Sequence, residues 1–384
     1  MQQIKVLLAD DSALIRQTMA RLLGEYPDLH VAATAYDGED ALRKIAAIKP
    51  DVVSLDVEMP RMDGITALRL IMKERPLPVI MFSTLTSEGS RQTVEALSAG
   101  AFDFVTKPSS PAQLKAVVAE LAGKIRLAYR ARAGRSAGRM PPVRRPAPAG
   151  AFEPRLSGPA AEMRGGDGGP SHGPEPPQRV PPEMKKRNID IVVIGCSTGG
   201  PAALQQVIPA LPAGFPVPVV VVQHIPPGFS KHLAEHLDRK SPLKVVHAEH
   251  GTRLEPGCVL VAPAGFDLEF KRGNGYATVS LLQGSGPPPP GGFRPSVDGV
   301  MTSAARLFGE RVLGVLMTGM GRDGAKGMKE IVNRNGCTIA EDESTCVVFG
   351  MPRAAIESGA ADFTLPLPRI AQGVMTLVGL SSSS

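Results

Sequence analysis

The sequence predicts an α/β protein with two doubly wound parallel sheets joined by a flexible linker. Three observations support this prediction. Short β-branched runs alternate with helical periodicity up to residue 127, the same alternation returns from residue 188, and a segment rich in proline and glycine separates the two regions. A length of 384 residues suffices for two cores. We therefore predict domains at residues 1–127 and 188–384 and a linker at 128–187.

The composition narrows the class of protein. Hydrophobic residues make up 43% of the chain and aromatic residues 4%, with no tryptophan, which is typical of α/β cores packed with aliphatic side chains. The net charge of +6 lies largely in an arginine-rich segment of the linker, so it does not by itself indicate a nucleic-acid partner. Four cysteines without C-x-x-C spacing fit a reducing compartment. Without an evident signal peptide or membrane-spanning run, we expect a soluble cytoplasmic protein with no membrane insertion.

The first domain has polar residues at the predicted strand ends. The strands are expected at Ile4–Ala9, His30–Ala35, Val52–Leu55, Val79–Phe82 and Phe102–Val105. Carboxyl ends of parallel strands form the ligand edge of such a sheet, and they are followed here by Asp10, Asp11, Asp56, Ser83, Thr84 and Lys107. Three converging carboxylates favour an oxygen-preferring divalent cation such as Mg²⁺, and a lysine with a hydroxyl suits a phosphoryl group.

These residues resemble the receiver domain of two-component response regulators, which has a flavodoxin-like (βα)5 fold. The resemblance rests on Ala9-Asp10-Asp11-Ser12, the segment 56–64, Ser83 and Lys107-Pro108. It implies that Asp56 accepts the phosphoryl group. It further implies Mg²⁺ ligands from Asp10, Asp11, Asp56 and the Glu58 backbone carbonyl, and switch residues at Ser83, Phe104 and Lys107. A histidine kinase would then be the phosphodonor.

The segment between the domains has the composition of a disordered linker. Residues 134–183 contain twelve prolines, nine glycines and one aromatic residue, Phe152. Such a segment cannot bury enough apolar surface to offset the entropy lost on ordering. No pattern that reads DNA follows its basic end, which argues against nucleic-acid binding.

The second domain begins with a buried strand that ends in the turn Gly195-Cys196-Ser197-Thr198-Gly199. Three interpretations remain open for this turn alone. It matches the G-x-S-x-G pattern of a nucleophilic serine, it could cradle a phosphate at the start of the next helix, or it could be a turn without chemistry.

Two further strands end in residues that suit acyl transfer. A strand at 218–222 leads to Gln223-His224, and one at 312–317 leads to a glycine-rich turn that contains Asp323. Ser197, His224 and Asp323 would then share one sheet edge, as a nucleophile, base and orienting acid require. Cys196 is interpreted as a packing residue. His232 and His236, which share a helix face, are interpreted as part of a solvated face without a metal motif.

Between these strands we predict a small β excursion. Its strands are expected at 259–262, 267–270 and 277–281. A proline-glycine loop at 284–292 follows and delivers Arg294-Pro295-Ser296-Val297-Asp298 to a helix, with Ser296 or Asp298 as its N-cap.

The second domain resembles the chemotaxis protein-glutamate methylesterases. The matching segments are 194–200, 223–226, 294–298, 317–324 and 343–352. The resemblance implies a catalytic triad of Ser197, His224 and Asp323 that needs no cofactor. It also implies hydrolysis of glutamate γ-methyl esters on methyl-accepting chemotaxis receptors, deamidation of receptor glutamines, and activation by phosphorylation. The oxyanion and substrate contacts are expected from Thr198, Gly199, Met320 and Arg294.

Two other functions compete with this interpretation. A transcriptional response regulator would explain the receiver and the basic charge, but it needs a DNA-reading motif. A receiver fused to a non-catalytic adaptor or nucleotide-binding domain would use the glycine turns for phosphate, but neither G-x-G-x-x-G nor a Walker A pattern occurs. Only the esterase interpretation uses His224 and Asp323.

Overall fold

The computed structural model describes residues 3–137, 183–273, 275–284 and 293–380. These residues form two separate parallel sheets, each with helices on both faces, and one antiparallel hairpin. The predicted α/β class with parallel sheets is therefore confirmed. In this part of the chain, no helix combines the length and the apolar character needed to cross a bilayer.

The first sheet has five parallel strands in the order β2-β1-β3-β4-β5. Its strands and helices are β1 Ile4–Ala9, α1 Ala13–Leu23, β2 Leu29–Ala35, α2 Gly38–Ile48, β3 Val52–Asp56, α3 Gly64–Glu74, β4 Val79–Ser83, α4 Ser87–Ser98, β5 Asp103–Thr106 and α5 Leu114–Ala137. Side chains alternate along each strand, so Leu7 and Val53 join one core cluster while Val6 and Val52 join the other. The five predicted strands lie within one residue of those observed.

The second sheet has seven parallel strands in the order β14-β13-β12-β6-β7-β9-β8. The strands and helices of the second domain are β6 Ile191–Cys196, α6 Gly200–Val207, β7 Val219–Gln223, α7 Phe229–Asp238, β8 Lys244–His247, β9 Cys258–Val261, β10 Phe266–Arg272, β11 Ala277–Gln283, α8 Val297–Phe308, β12 Val312–Leu316, α9 Ala325–Asn333, β13 Cys337–Glu341, α10 Met351–Glu357, β14 Phe363–Leu365 and α11 Leu367–Val378. The central strand β6 is buried on both faces, as its continuous apolar run predicts.

Two features of this sheet differ from the sequence prediction. The strand expected at 259–262 is β9, which pairs with β7 and β8 in the main sheet, so only the hairpin β10–β11 stands apart. A short apolar run does not reveal which sheet it joins, because its pairing depends on distant strands. Strands β8, β13 and β14 were not predicted. In β13 the polar Thr338 interrupts the apolar pattern, and its burial depends on hydrogen bonds with Asp362.

The ends of the predicted linker at 128–187 also differ. Helix α5 continues to Ala137, and Ala128 is fully buried in the first core. At the other end, Met184 packs into the second core, and the Arg187 N–H donates to the Leu377 carbonyl at 2.7 Å. These ends were missed because composition reveals neither helix continuation nor long-range docking. The predicted disorder of residues 138–182 and the predicted proline-glycine loop at 285–292 fall outside the described residues.

The docked segment before β6 gives a first prediction. A catalytic fragment that begins at Glu183 should be more stable than one that begins at Asn188, because the shorter fragment lacks the buried Met184 side chain. Burying a methionine contributes about 2 kcal/mol. Urea unfolding of both fragments measures the difference, and Met184→Ala in the longer fragment should reproduce most of it. Equal unfolding midpoints would show that the segment contributes nothing.

Candidate active site

The turn after β6 holds Ser197 in a tight position. The Ser197 N–H donates to the Thr318 carbonyl at 3.0 Å, and the Gly200 N–H donates to the Ser197 carbonyl at 2.8 Å. Gly199 adopts a φ of 81°, and a Cβ there would lie 2.6 Å from the Cβ of Val347. Only glycine combines that backbone conformation with so little space. Ser197 is thereby held at the amino end of α6 with little exposure.

His224 lies beside Ser197 because of strand register. Cys196 of β6 pairs with Gln223 of β7, and the His224 N–H donates to the Cys196 carbonyl at 3.0 Å. The two residues that follow this pair are Ser197 and His224. The His224 Nε2 lies 2.7 Å from Asp323 Oδ2, whereas the buried Nδ1 has no hydrogen-bond partner among the described residues. A hydrogen bond to a carboxylate requires a proton on Nε2, which leaves Nδ1 as the acceptor.

Asp323 is held at the amino end of α8. Its Oδ1 accepts hydrogen bonds from the Ser296 hydroxyl at 2.8 Å and the Asp298 N–H at 3.0 Å, and its Oδ2 accepts one from the Val297 N–H at 2.7 Å. Burial opposes ionisation, but the hydrogen bonds from His224 and the helix end outweigh it and hold the pKa of Asp323 well below its usual range. The carboxylate therefore stays ionised beside the imidazole.

The segment from Arg294 to Asp298 does more than connect the proline-glycine loop to α8, because it also holds Asp323. Ser296 is the N-cap of α8, as one of the two predicted alternatives stated. Asp298 is not the cap. It lies in the first turn and accepts the N–H groups of Gly324 and Gly327 at 2.8 and 2.7 Å, which fixes the start of α9. Arg294 forms an ion pair with Asp267, with 3.6 Å between Nε and Oδ2, and its predicted substrate contact remains a prediction.

Backbone donors for an oxyanion are present near Ser197. In the described chain, the N–H groups of Thr198, Gly199 and Met320 make no hydrogen bond. Gly319 packs directly on the serine, since a Cβ there would lie 2.8 Å from the Ser197 Cβ. Met320 is 57% exposed at the mouth of the site. Such N–H groups can stabilise a tetrahedral intermediate, and the roles of Thr198, Gly199 and Met320 in this remain a prediction.

Sequence reasoning missed two residues that contact the site. The Phe293 ring stacks on His224 with 4.5 Å between centroids and 5° between planes. The stacked ring packs against one face of the imidazole and so restricts its orientation. A lone aromatic residue at the end of a proline-glycine loop was the only sequence signal. The second missed residue is Glu341, at the end of β13.

Glu341 holds Thr318, which hydrogen-bonds to the turn that contains Ser197. The side chain has no exposed surface and accepts hydrogen bonds from the Thr318 N–H at 2.8 Å and the Thr345 hydroxyl at 3.0 Å. The Thr318 hydroxyl in turn donates to the Thr198 carbonyl at 2.9 Å. Burial, only partly offset by these hydrogen bonds, raises the pKa of Glu341 to about 7.

The raised pKa predicts a pH dependence of stability. The folded protein binds a proton at Glu341 that the unfolded chain releases above its ordinary pKa of 4.5, so stability falls as pH rises through about 7. The loss is on the order of 3 kcal/mol. Glu341→Gln should therefore reduce the difference in unfolding free energy between pH 5 and pH 8. Urea unfolding at both pH values tests this, with the exposed Glu357→Gln as control. An unchanged difference in the Glu341 variant would contradict the prediction.

The first sheet brings its predicted acids together. Oxygen atoms of Asp10, Asp11 and Asp56 all lie within 4.8 Å of one another. Lys107 Nζ is 2.6 Å from Asp56 Oδ2 and 3.0 Å from Asp10 Oδ2, an atom that accepts no other hydrogen bond in the described residues. Burial, with the nearby charge of Asp10, raises the pKa of Asp56 to about 7 against the opposing effect of Lys107. Clustered hard oxygens with an unsatisfied lone pair fit Mg²⁺.

The other predicted receiver residues are Ser83, Phe104 and Glu58. The Ser83 hydroxyl lies 2.7 Å from the Thr93 hydroxyl and donates to the Gly89 carbonyl of α4 at 3.2 Å. Phe104 is buried, and its ring lies 4.8 Å from the ring of Phe229 in the second domain. For Glu58, the structure shows only its N–H donating to Asp56 Oδ1 at 3.4 Å. Its predicted metal contact remains a prediction.

The two domains meet at the edge that carries Ser197. The Thr198 hydroxyl donates to Asp103 Oδ2 of β5 at 2.7 Å. Ser98 of α4 accepts a hydrogen bond from Gln205 Nε2 at 2.6 Å and lies 2.9 Å from His236 Nε2. Burial lowers the pKa of His236 to about 4, so this histidine is neutral in the interface.

The solvated face predicted for His232 and His236 is therefore wrong. His232 also contacts α4, with 3.4 Å between its Nε2 and the Ser87 hydroxyl. The i, i+4 spacing revealed that the two histidines share a face, but not what covers it. Cys196, by contrast, is the packing residue that was expected, since it has no exposed surface and burial raises its pKa.

The fold and the site together define a class of protein, a serine hydrolase linked to a response-regulator receiver. Family models agree with this class. The CheB methylesterase model matches residues 192–374, and the response regulator receiver domain model matches residues 6–119.

Relatives match along the whole chain. A protein-glutamate methylesterase/protein-glutamine glutaminase of Carboxydothermus hydrogenoformans is 43% identical over 97% of this chain and 99% of its own. One of Symbiobacterium thermophilum is 44% identical over 98% and 97%. The crystal structure of the Thermotoga maritima CheB methylesterase catalytic domain is 46% identical, covers 49% of this chain and 97% of its own, and has a TM-score of 0.47. The chain belongs to the CheB methylesterase family.

Proposed function

We propose that this protein is a phosphorylation-activated serine hydrolase that removes γ-methyl esters from glutamates of methyl-accepting chemotaxis receptors and deamidates receptor glutamines. The observation that carries this proposal is the pairing of His224 with Asp323 through Nε2, which leaves Nδ1 without a hydrogen-bond partner among the described residues. The names of the full-length relatives support both activities.

The first chemical step is acylation of Ser197. The serine Oγ attacks the ester carbonyl carbon while His224 Nδ1 accepts the hydroxyl proton. The carbonyl electron pair moves onto oxygen, where the free N–H groups near Thr198 and Met320 stabilise it, and each such donor is worth roughly 10²–10³ in rate. The intermediate then expels the methoxy group, which leaves as methanol with the proton from His224.

The second step regenerates the serine. A water molecule gives its proton to His224 and attacks the acyl carbon, and collapse breaks the bond to Ser197 Oγ, which recovers its proton. The product is a glutamate carboxylate. A glutamine side chain reacts in the same way with ammonia as the leaving group. Throughout both steps, the ionised Asp323 holds the ring and stabilises the imidazolium.

Methanol release from methylated receptor membranes tests this function. The full-length protein should release methanol, and Ser197→Ala should lower the rate by at least ~10³-fold because the nucleophile is gone. Unchanged circular dichroism of the variant controls for folding. If the wild-type protein releases no methanol with or without a phosphodonor, the esterase function is wrong and the non-catalytic adaptor interpretation takes its place.

The interface suggests how phosphorylation regulates this activity. The receiver contacts the turn of Ser197 through Asp103 and packs α4 on α6 and α7. Ser83, the last residue of β4 and thus of the strand next to that of Asp56, bonds to α4. We propose that the unphosphorylated receiver covers the catalytic edge and that phosphorylation of Asp56 displaces α4 and β5 from it. Asp10, Asp11, Asp56 and the Glu58 carbonyl would hold the Mg²⁺ that the phosphorylation requires.

This model predicts that damage to the interface activates the enzyme without phosphorylation. Ser98→Arg introduces a long cationic side chain where a small hydroxyl bonds to Gln205 and lies against His236. We expect basal methanol release to rise by roughly tenfold, equivalent to 1.4 kcal/mol of lost docking energy. Ser110→Arg, on an exposed part of the receiver, is the matched control. A Ser98 variant with wild-type basal activity would contradict the covering role.

The same proposal includes the partners of the protein and the boundaries of its two domains. The substrate is a methyl-accepting receptor, and the phosphodonor is a histidine kinase of the chemotaxis type, which places the reaction in the cytoplasm. The structural ends of α5 and the docking of Met184 support a receiver that extends to about residue 137 and a catalytic domain that begins near residue 183.

A further inference from the structure

The side chain of Gln223, the last residue of β7, contacts the backbones of both the nucleophile Ser197 and the base His224. Its side chain is almost fully buried, with 4% of the residue exposed. A buried amide must have its donors and acceptor satisfied, because an unpaired polar group costs about 1–3 kcal/mol. The partners that satisfy this amide are therefore informative.

All three partners belong to the catalytic turns. The Gln223 Nε2 donates to the Ser197 carbonyl and to the His224 carbonyl, each at 2.9 Å. The Gln223 Oε1 accepts from Cys196 Sγ at 3.1 Å. One amide group thus holds the backbone of the nucleophile and the backbone of the base at the same time.

The surrounding space is shaped for this amide. A Cβ on Gly200 would lie 2.0 Å from Gln223 Oε1 and 3.0 Å from Cys196 Sγ. Gly200 is helical and does not have a positive φ, so its backbone does not explain the glycine. The absence of a side chain at Gly200 is instead explained by the room that the Gln223 amide occupies.

We infer that Gln223 is a positioning residue for the hydrolysis proposed above, on which this inference rests. Its two N–H groups fix the separation between the Ser197 and His224 backbones, and through it the alignment of Ser197 Oγ with His224 Nδ1. Proton transfer and attack depend steeply on this alignment, since a displacement of ~1 Å can cost about 10²-fold in rate.

Two substitutions test the role. Gln223→Met keeps the length of the side chain but removes both donors. Gln223→Glu keeps the shape, but it can donate only while its carboxyl is protonated. The readouts are the rate at which a fluorophosphonate labels Ser197 and the kcat and KM of methanol release. Labelling forms a bond from Ser197 Oγ to phosphorus and releases fluoride, while His224 takes the serine proton, so it reports alignment without a receptor.

We expect Gln223→Met to lower the labelling rate and kcat by 10- to 100-fold with little change in KM. The matched control is Thr338→Val in β13. This substitution removes buried hydrogen bonds between Thr338 and Asp362, and neither residue hydrogen-bonds to the catalytic turns in the described chain. It should lower the unfolding midpoint but leave the labelling rate within twofold. A labelling rate of Gln223→Met within threefold of wild type would overturn the inference.

The pH dependence of Gln223→Glu separates positioning from bulk stability. Ionisation removes the donor and places a charge against two carbonyl oxygens, so the labelling rate relative to wild type should fall as pH rises. A pH-independent ratio would overturn the inference, even if Gln223→Met fails to fold. If wild-type protein is labelled but releases no methanol, the proposed function fails and labelling alone decides the role of Gln223. An unlabelled wild-type Ser197 would overturn both.

Discussion

The geometry of the site depends on one partly buried carboxylate, Asp323, at the amino end of α8. Two helix N–H groups, the Ser296 hydroxyl and the Gly324 N–H donate to this carboxylate, and its Oδ2 lies 2.7 Å from the Nε2 of His224. A helix end stabilises negative charge, so the acid is ionised despite its burial. The imidazole must then carry its proton on Nε2, which leaves Nδ1 as the nitrogen that can accept a proton.

The remaining supports of the site fix distances between backbones. The Gln223 amide ties the Ser197 turn to the His224 turn, and Glu341 holds Thr318, which bonds back to the Thr198 carbonyl. Each support is a buried polar group with satisfied hydrogen bonds, which makes it rigid and costly to change. Ser197, His224 and Asp323 lie in short turns, so their positions are fixed by these neighbouring side chains.

The sheet edge that carries the proposed triad also contacts the receiver. Strand carboxyl ends in the second domain carry the triad, and α4 and β5 of the receiver pack beside it through Asp103, Ser98 and Phe104. A displacement of α4 would therefore alter the contacts beside the turn of Ser197. In the described residues, α4 and β5 form hydrogen bonds that link the receiver to the second domain.

Local sequence determined the α/β class and the five receiver strands, and it predicted Ser197, His224, Asp323 and Asp56 as site residues. The reason is physical, because parallel strands place their carboxyl ends on one edge and a polar residue after a buried strand reveals itself locally. Only the tertiary structure decided which sheet β9 joins and which helix packs against His236. It also decided the burial of Glu341, the stacking of Phe293 on His224 and the hydrogen-bond partners of Gln223. Those features depend on contacts between residues far apart in the chain, such as Ser98 and His236, which are separated by 138 positions. No local pattern encodes such a pairing, since it depends on how whole elements pack.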